Sequence, residues 1–277
     1  VPEGATLTVQ ENDTFVKVYD TSFVQIGSQG TDYDLAHSSP NQETRTAQFA
    51  NIKSDNCKVT FTNTRKSATV FIKKTLNDIL AVENQTFTFK AELFNTDGTK
   101  LTAYTGDGFS SAEKIVTISL KDTDVESAKI VIPIGAKLCV TEQLTSDQAK
   151  AYTTDVNFNG QESKTITDEA VTGRTLDGLV QVDDQEAVYE FVNTRRTVTI
   201  TLKKILNGTY NEAFPFTVTL SATNYNSEGF VNGVRTFNLV HGQEEILIIP
   251  KGVTITIEEG LGVDYYVESI EATQDGG

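Results

Sequence analysis

The sequence predicts an all-β chain of tandem β-sandwiches, and three observations carry that expectation. First, short runs rich in Val, Ile, Thr and Phe alternate apolar with polar, as in FTFKAEL (87–93), KIVTISL (114–120), KIVIPI (129–134) and TITIEE (254–259). Turn clusters such as NTDGTK (95–100) and YTGDG (104–108) separate them, and no stretch keeps a helical period beyond about two turns. Second, FTNTRKSATVFIKKTLN over 61–77 recurs as FVNTRRTVTITLKKILN over 191–207. Each copy closes one strand on Asn-Thr-Arg and opens another that ends on Lys-Lys. Third, a Pro-x-Gly turn leads an alternating strand to a Glu at three places: PEGATLTVQE (2–11), PIGAKLCVTE (133–142) and PKGVTITIEE (250–259). Many short strands with frequent turns suit sandwiches.

The two repeats set the expected organisation. They predict a C-terminal half-domain over 1–64, a complete sandwich over 67–194 and the N-terminal portion of a third unit over 197–277. The chain is then a window on a longer array. Completion of the outer portions by flanking sequence is the simpler expectation, because both portions carry equivalents of 132–160; exchange between chains is the alternative.

Composition narrows the function. The 277 residues include 38 acidic and 23 basic ones, for a net charge of −15. That balance disfavours nucleic acid and anionic membranes as partners. No apolar run approaches the roughly eighteen residues that a membrane-spanning helix needs. Two cysteines, Cys57 and Cys139, fall in different units, which argues against a disulfide between them. With only His37 and His241 besides, no metal-ligand spacing exists, and no cofactor motif is present. The acidic clusters at 122–124 and 182–186 read as solvated loops.

Parity then isolates one set of polar residues. In the first strand of the middle unit, Val70, Ile72, Lys74 and Leu76 share an apolar face, and Lys73 takes the wetter one. In the last strand, Tyr189, Phe191 and Asn193 share a face. After Pro133, Leu138, Val140 and Glu142 do. Three inward polar groups in one small core are costly unless they meet. If they meet, desolvation lowers the pKa of Lys74 and raises that of Glu142. A neutral Lys74 amine can attack the amide carbon of Asn193, with Glu142 polarising the amide oxygen and moving protons to the departing ammonia. The same residue types recur in the outer portions as Glu11 with Asn63, and as Lys204 with Glu259. Parity with Val253, Ile255 and Ile257 selects Glu259 over Glu258. Taken singly, Lys74 and Lys204 would read as snorkelling lysines, Asn193 as a backbone partner and Glu142 as an unreactive ion-pair partner; recurrence in register favours the crosslink.

The stretches ATVFIKKTLN, LCVTEQ and YEFVNT resemble those of the Cna B-type immunoglobulin-like domains found in stalks and pilins of Gram-positive bacteria. The resemblance covers 67–194 and part of each outer portion. It implies tandem immunoglobulin-like sandwiches and a spontaneous Lys74–Asn193 isopeptide bond assisted by Glu142. It also implies an extracellular, cell-surface or wall-attached location. Expected partners are neighbouring domains or subunits of the same array. No LPxTG-like or YPK motif stands in the sequence, so sortase attachment or polymerisation rests on the resemblance alone.

The expected function is therefore a stalk or pilus-like shaft rather than a turnover enzyme. An adhesin module that binds a host ligand is the alternative. One mechanical expectation follows. The stretch from Asn-Thr-Arg to Lys-Lys would be the part of the shaft where tension passes through a single uncrosslinked strand.

Overall fold

The computed structural model describes residues 1–12, 18–27, 31–33, 41, 44–80, 84–120, 125–183, 186–208, 212–260, 266–267 and 269–272. His37 and the acidic cluster at 122–124 lie outside them. The protein is all-β and built of β-sandwiches.

The leading segment contains β1 (Leu7–Gln10), β2 (Tyr19–Ile26), β3 (Thr46–Phe49) and β4 (Lys58–Arg65). They pair antiparallel as β1 with β3 and β2 with β4. The middle segment begins with β5 (Ser67–Asn77), β6 (Gln85–Phe94), β7 (Glu113–Leu120), β8 (Val125–Pro133) and β9 (Lys137–Gln143). A one-and-a-half-turn helix, α1 (Ser146–Ala151), follows, held by a capping box between Thr145 and Gln148. Then come β10 (Tyr152–Phe158), β11 (Glu162–Ile166), β12 (Gly173–Arg174), β13 (Val180–Gln181) and β14 (Glu186–Arg195). The trailing segment contains β15 (Thr197–Lys203), β16 (Phe214–Leu220), β17 (Val234–Leu239), β18 (Glu244–Pro250) and β19 (Ile255–Glu259).

In the middle segment one sheet runs β11-β10-β14-β5-β8, and the facing sheet runs β12-β9-β6-β7 with β13 also on β9. The strands form because one face of each is apolar and β-branched or aromatic. In β5, Ala68, Val70, Ile72 and Leu76 are all buried, whereas the intervening residues are half-exposed. The two sheets interlock through these faces: the Phe89 ring on β6 lies 5.0 Å from Phe191 on β14. β14 runs parallel to β5, so the last strand of the segment lies beside the first, with Phe191 opposite Lys74 and Asn193 opposite Leu76.

Strand pairings recur in register. Ser67 opposite Pro133 is matched by Thr197 opposite Pro250. Phe89 opposite Glu142 is matched by Phe216 opposite Glu259. Thr154 opposite Asn193 is matched by Thr21 opposite Asn63. The Pro-x-Gly turns also agree: Gly4, Gly135 and Gly252 have φ of 81°, 79° and 92°, a region open to glycine. A turn that needs positive φ at that position is the reason glycine stands there three times.

The segments meet at two junctions of the same design. Arg65 at the end of β4 donates to the carbonyl of Ile134 in the next turn at 3.1 and 3.3 Å, and Ile134 N–H donates to Lys66 O at 3.0 Å. Arg195 at the end of β14 donates to Lys251 O at 3.1 Å, and Lys251 N–H donates to Arg196 O at 2.9 Å. The second junction is reinforced. Arg195 forks onto the Asp78 carboxylate at 2.6 and 2.8 Å, the Tyr152 hydroxyl donates to the same group at 2.6 Å, and Lys251 pairs with Glu169. Burial pushes the Asp78 carboxyl up, but the Arg195 and Tyr152 hydrogen bonds outweigh it and hold the group below the usual carboxylate range. Covalently one strand passes, but side chains brace it, because Arg195 shares the face of Asn193 and reaches past the sheet end.

Candidate functional site

Lys74, Glu142 and Asn193 come from β5, β9 and β14, so both sheets contribute. All three are fully buried at 0 % exposure. Lys74 Nζ stands 2.7 Å from Glu142 Oε1. Asn193 Nδ2 donates to that same oxygen at 3.1 Å. The Lys74 nitrogen stands at ion-pair distance, and Glu142 Oε2 has no hydrogen-bond partner among the described residues. Lys74 Nζ also lies 4.5 Å from the centroid of the Phe87 ring, which closes the site on that side.

Such burial decides the electrostatics. Removing an ammonium from water pushes Lys74 down to about 8, although Glu142 opposes the shift. Burial pushes the Glu142 carboxyl up, against the opposing pull of Lys74, Asn193 and Arg174. Arg174 is itself fully buried and stands opposite Glu142 on the neighbouring β12. Both shifts move the pair towards neutral amine and neutral acid, the forms that nucleophilic attack and proton donation require.

The amide is oriented by a residue that sequence reasoning missed. Thr154 Oγ1, on β10, donates to Asn193 Oδ1 at 2.8 Å inside the core. In this arrangement the Glu142 oxygen meets the amide nitrogen and the Thr154 hydroxyl meets the amide oxygen. The signal was legible: Tyr-Asp-Thr at 19–21 and Tyr-Thr-Thr at 152–154 both precede their Asn-Thr-Arg strands. Phe87 was missed likewise, though Phe-x-Phe recurs at 87–89 and 214–216.

The outer segments hold parts of the same arrangement. In the leading one, Asn63 Nδ2 donates to Glu11 Oε1 at 2.6 Å and Thr21 Oγ1 donates to Asn63 Oδ1 at 2.6 Å. Here Asn63 is exposed rather than inward. Its amide and the Thr21 hydroxyl hold the Glu11 carboxyl below its usual range, the opposite direction to Glu142. In the trailing segment Lys204 pairs with Glu259, and its Nζ lies 4.2 Å from the Phe214 centroid. The two side chains are 13 % and 16 % exposed, and Glu258 faces solvent. Val198, which shares the Lys204 face by parity, is exposed, and Ile200 and Leu202 are half-buried. Among the described residues β15 pairs with β18 alone and has no counterpart of the β14 neighbour that extends the sheet beside β5, although Ile200 and Leu202 still pack against buried residues of β16.

Other sequence candidates stand apart from this chemistry. Cys57 and Cys139 are free thiols, both half-buried. Burial pushes the Cys57 thiol up, the direction of an inert thiol. Lys73 pairs with Glu190 at 2.6 Å on the outer face. His241 accepts from Leu206 N–H at 3.0 Å.

The chain matches no protein-family model, and no curated protein is similar to it. Solved structures are similar at low identity. A major pilin protein (T3.2) of Streptococcus pyogenes serotype GAS13637 matches at 19 % identity and a TM-score of 0.39, over 71 % of this chain and 83 % of the pilin. Another Streptococcus pyogenes major pilin matches at 13 % identity and 0.32, over 70 % and 99 %. The pilus-presented adhesin Spy0125 (Cpa) matches at 16 % and 0.31, over 55 % of this chain and 34 % of the adhesin. At such identities and scores, function is read from the site's own geometry.

Proposed function

We propose that this chain is a segment of a structural stalk or pilus-like shaft on a bacterial cell surface, and that residues 67–194 form a complete Cna B-type unit which crosslinks itself. The neutral Lys74 amine attacks the Asn193 side-chain carbon. A C–N bond forms to Lys74, the bond from carbon to Nδ2 breaks, and Glu142 carries a proton from the Lys74 nitrogen to the departing ammonia. Amine and primary amide become a secondary amide and ammonia, so no external reagent is consumed. The reaction runs once per molecule. It is self-modification and not turnover catalysis.

The observation that carries this reading is the meeting of Lys74, Glu142 and Asn193 at one carboxylate oxygen inside a fully buried pocket. The product would tie β5 to β14. By analogy with disulfides, closing the loop between residues 74 and 193 stabilises the unit by about 4–5 kcal/mol. Arg195 and Arg65 then hand load to neighbouring units through the Pro-x-Gly turns. Lys204 with Glu259, and Glu11 with Asn63, are read as the matching parts of adjacent units. The surface is in keeping with the shaft reading: among the described residues Tyr266 is the one aromatic side chain among the exposed large apolar residues.

Intact mass spectrometry of the purified chain tests the proposal. The expected mass is that of the sequence less one ammonia, restored to the full value by Lys74→Ala or Asn193→Ala. A full, unmodified mass for the folded chain would sink it.

A further inference from the structure

We infer that Thr154 is a catalytic residue of the crosslinking step, the hydrogen-bond donor that stabilises the oxyanion formed on Asn193. This rests on the isopeptide reading above, and deepens it. When an amine adds to an amide carbon, negative charge develops on the amide oxygen. A donor already aimed at that oxygen in a water-excluded site lowers the barrier. Glu142 is turned to the opposite end of the same amide, with Oε1 on the nitrogen that leaves. Among the described residues, Thr154 Oγ1 alone donates to Asn193 Oδ1, at 2.8 Å between two fully buried residues.

Three further observations support the assignment. The backbone fixes the donor: Thr154 and Asn193 are directly opposed on antiparallel β10 and β14, so their side chains share one face. The arrangement also recurs. Thr21 opposes Asn63 on β2 and β4 and donates to its Oδ1 at 2.6 Å, while Glu11 takes the Asn63 nitrogen. Two sites with different burial thus orient the amide identically. Finally, a β-branched threonine in a strand has restricted χ1 freedom, so its hydroxyl is held in place before reaction.

The division of labour is then explicit. Glu142 moves the proton between the two nitrogens. Thr154 holds charge on the oxygen as the tetrahedral adduct forms and releases it as the carbonyl returns. Thr154 neither gains nor loses a proton over the whole reaction.

The test is the rate of ammonia loss, followed by intact mass on the full chain made by cell-free synthesis, with aliquots quenched in denaturant. Thr154→Val keeps the shape and removes the donor. Loss of one oxyanion donor is expected to slow bond formation by about 10²–10³-fold. Thr154→Ser keeps the donor and is expected to stay within about threefold of the parent chain. The pH–rate profile separates chemistry from packing. A donor lost from an intact pocket lowers the rate at every pH and leaves the limbs where they were. A loosened pocket readmits water and moves the limbs, because burial sets the Lys74 and Glu142 titrations. Parent-like kinetics in folded Thr154→Val would overturn the assignment, as would a slowed rate accompanied by moved limbs. Should Thr154→Val not fold, Thr154→Ser decides against Thr154→Ala: a serine chain as slow as the alanine chain overturns it, and a parent-like serine rate supports it. A parent chain that never loses ammonia rejects the isopeptide reading itself, a distinct outcome.

Discussion

Glu142 and Glu11 stand at the same place in the same repeat, nine residues after a Pro-x-Gly proline, and each receives an Asn amide. Yet burial pushes Glu142 up, whereas hydrogen bonds hold Glu11 down. The difference lies in what surrounds them. In the middle segment two facing sheets close over the site and remove water from it. In the leading segment the described strands form two separate pairs, and Asn63 remains exposed. The same Glu–Asn pair in the same register therefore meets a buried lysine and loses its water in one place, and is an ordinary hydrogen-bonded carboxylate in the other. Desolvation, which the residue types alone do not supply, sends the two carboxylates in opposite directions.

That contrast can be broken experimentally. The largest effect is expected from Glu142→Ala. It removes the proton shuttle, so the chain keeps its full mass. It also leaves the buried Lys74 without its partner, which pushes its titration further down and adds about 1–3 kcal/mol for an unsatisfied buried group to the loss of the crosslink. Amide hydrogen exchange in β5 and β14 should report both. Asn193→Ala should retain the Lys74–Glu142 pair and lose the crosslink, at about 4–5 kcal/mol by the same readout.

Arg195→Ala should come next, at about 3 kcal/mol, because it leaves the Asp78 carboxylate buried without its guanidinium. It should also loosen the coupling of middle and trailing segments, visible as greater interdomain flexibility in small-angle scattering. Arg65→Ala, whose described contacts to the next segment are with the Ile134 carbonyl, should cost about 0.5–1.5 kcal/mol.

The pH dependence sharpens the same comparison. The proposed mechanism runs through the form of the pair that carries one proton, shared between Lys74 and Glu142. Above pH about 8 that proton is lost, leaving an amine without an acid, and the crosslinking rate should fall about tenfold per pH unit. At low pH a second proton blocks the amine, with the midpoint set by the raised Glu142 titration. A rate that keeps rising above pH about 9 would show that Glu142 acts only as a carboxylate. Smallest of all, Glu11→Ala should leave both the crosslink and the unfolding midpoint unmoved. A large effect there would contradict the idea that burial makes the carboxylate reactive.

Much of the strand pattern is legible from local alternation. The face on which Lys74, Glu142 and Asn193 stand follows from parity with Ile72, Val140 and Phe191, since a strand has a period of two. The Thr154 and Phe87 contacts were harder to read. Their repeated motifs are short, and only register across strands turns Tyr-x-Thr into a donor aimed at Asn-Thr-Arg. The bracing at Arg195 was hidden for another reason. It depends on Asp78, Tyr152 and Lys251, which are far apart in sequence and have no period in common.

By itself, the sequence determined which residues share a face of each strand, because side-chain direction along a strand is a property of the backbone. It also determined that the same polar types recur, because the repeat can be counted. The tertiary structure decided which of those groups lose water, which end of the Asn193 amide meets an acid, and how neighbouring segments are clamped. Those are matters of distance across two sheets and between segments. Desolvation arises only when the second sheet closes over the first, and no local pattern along a strand contains it.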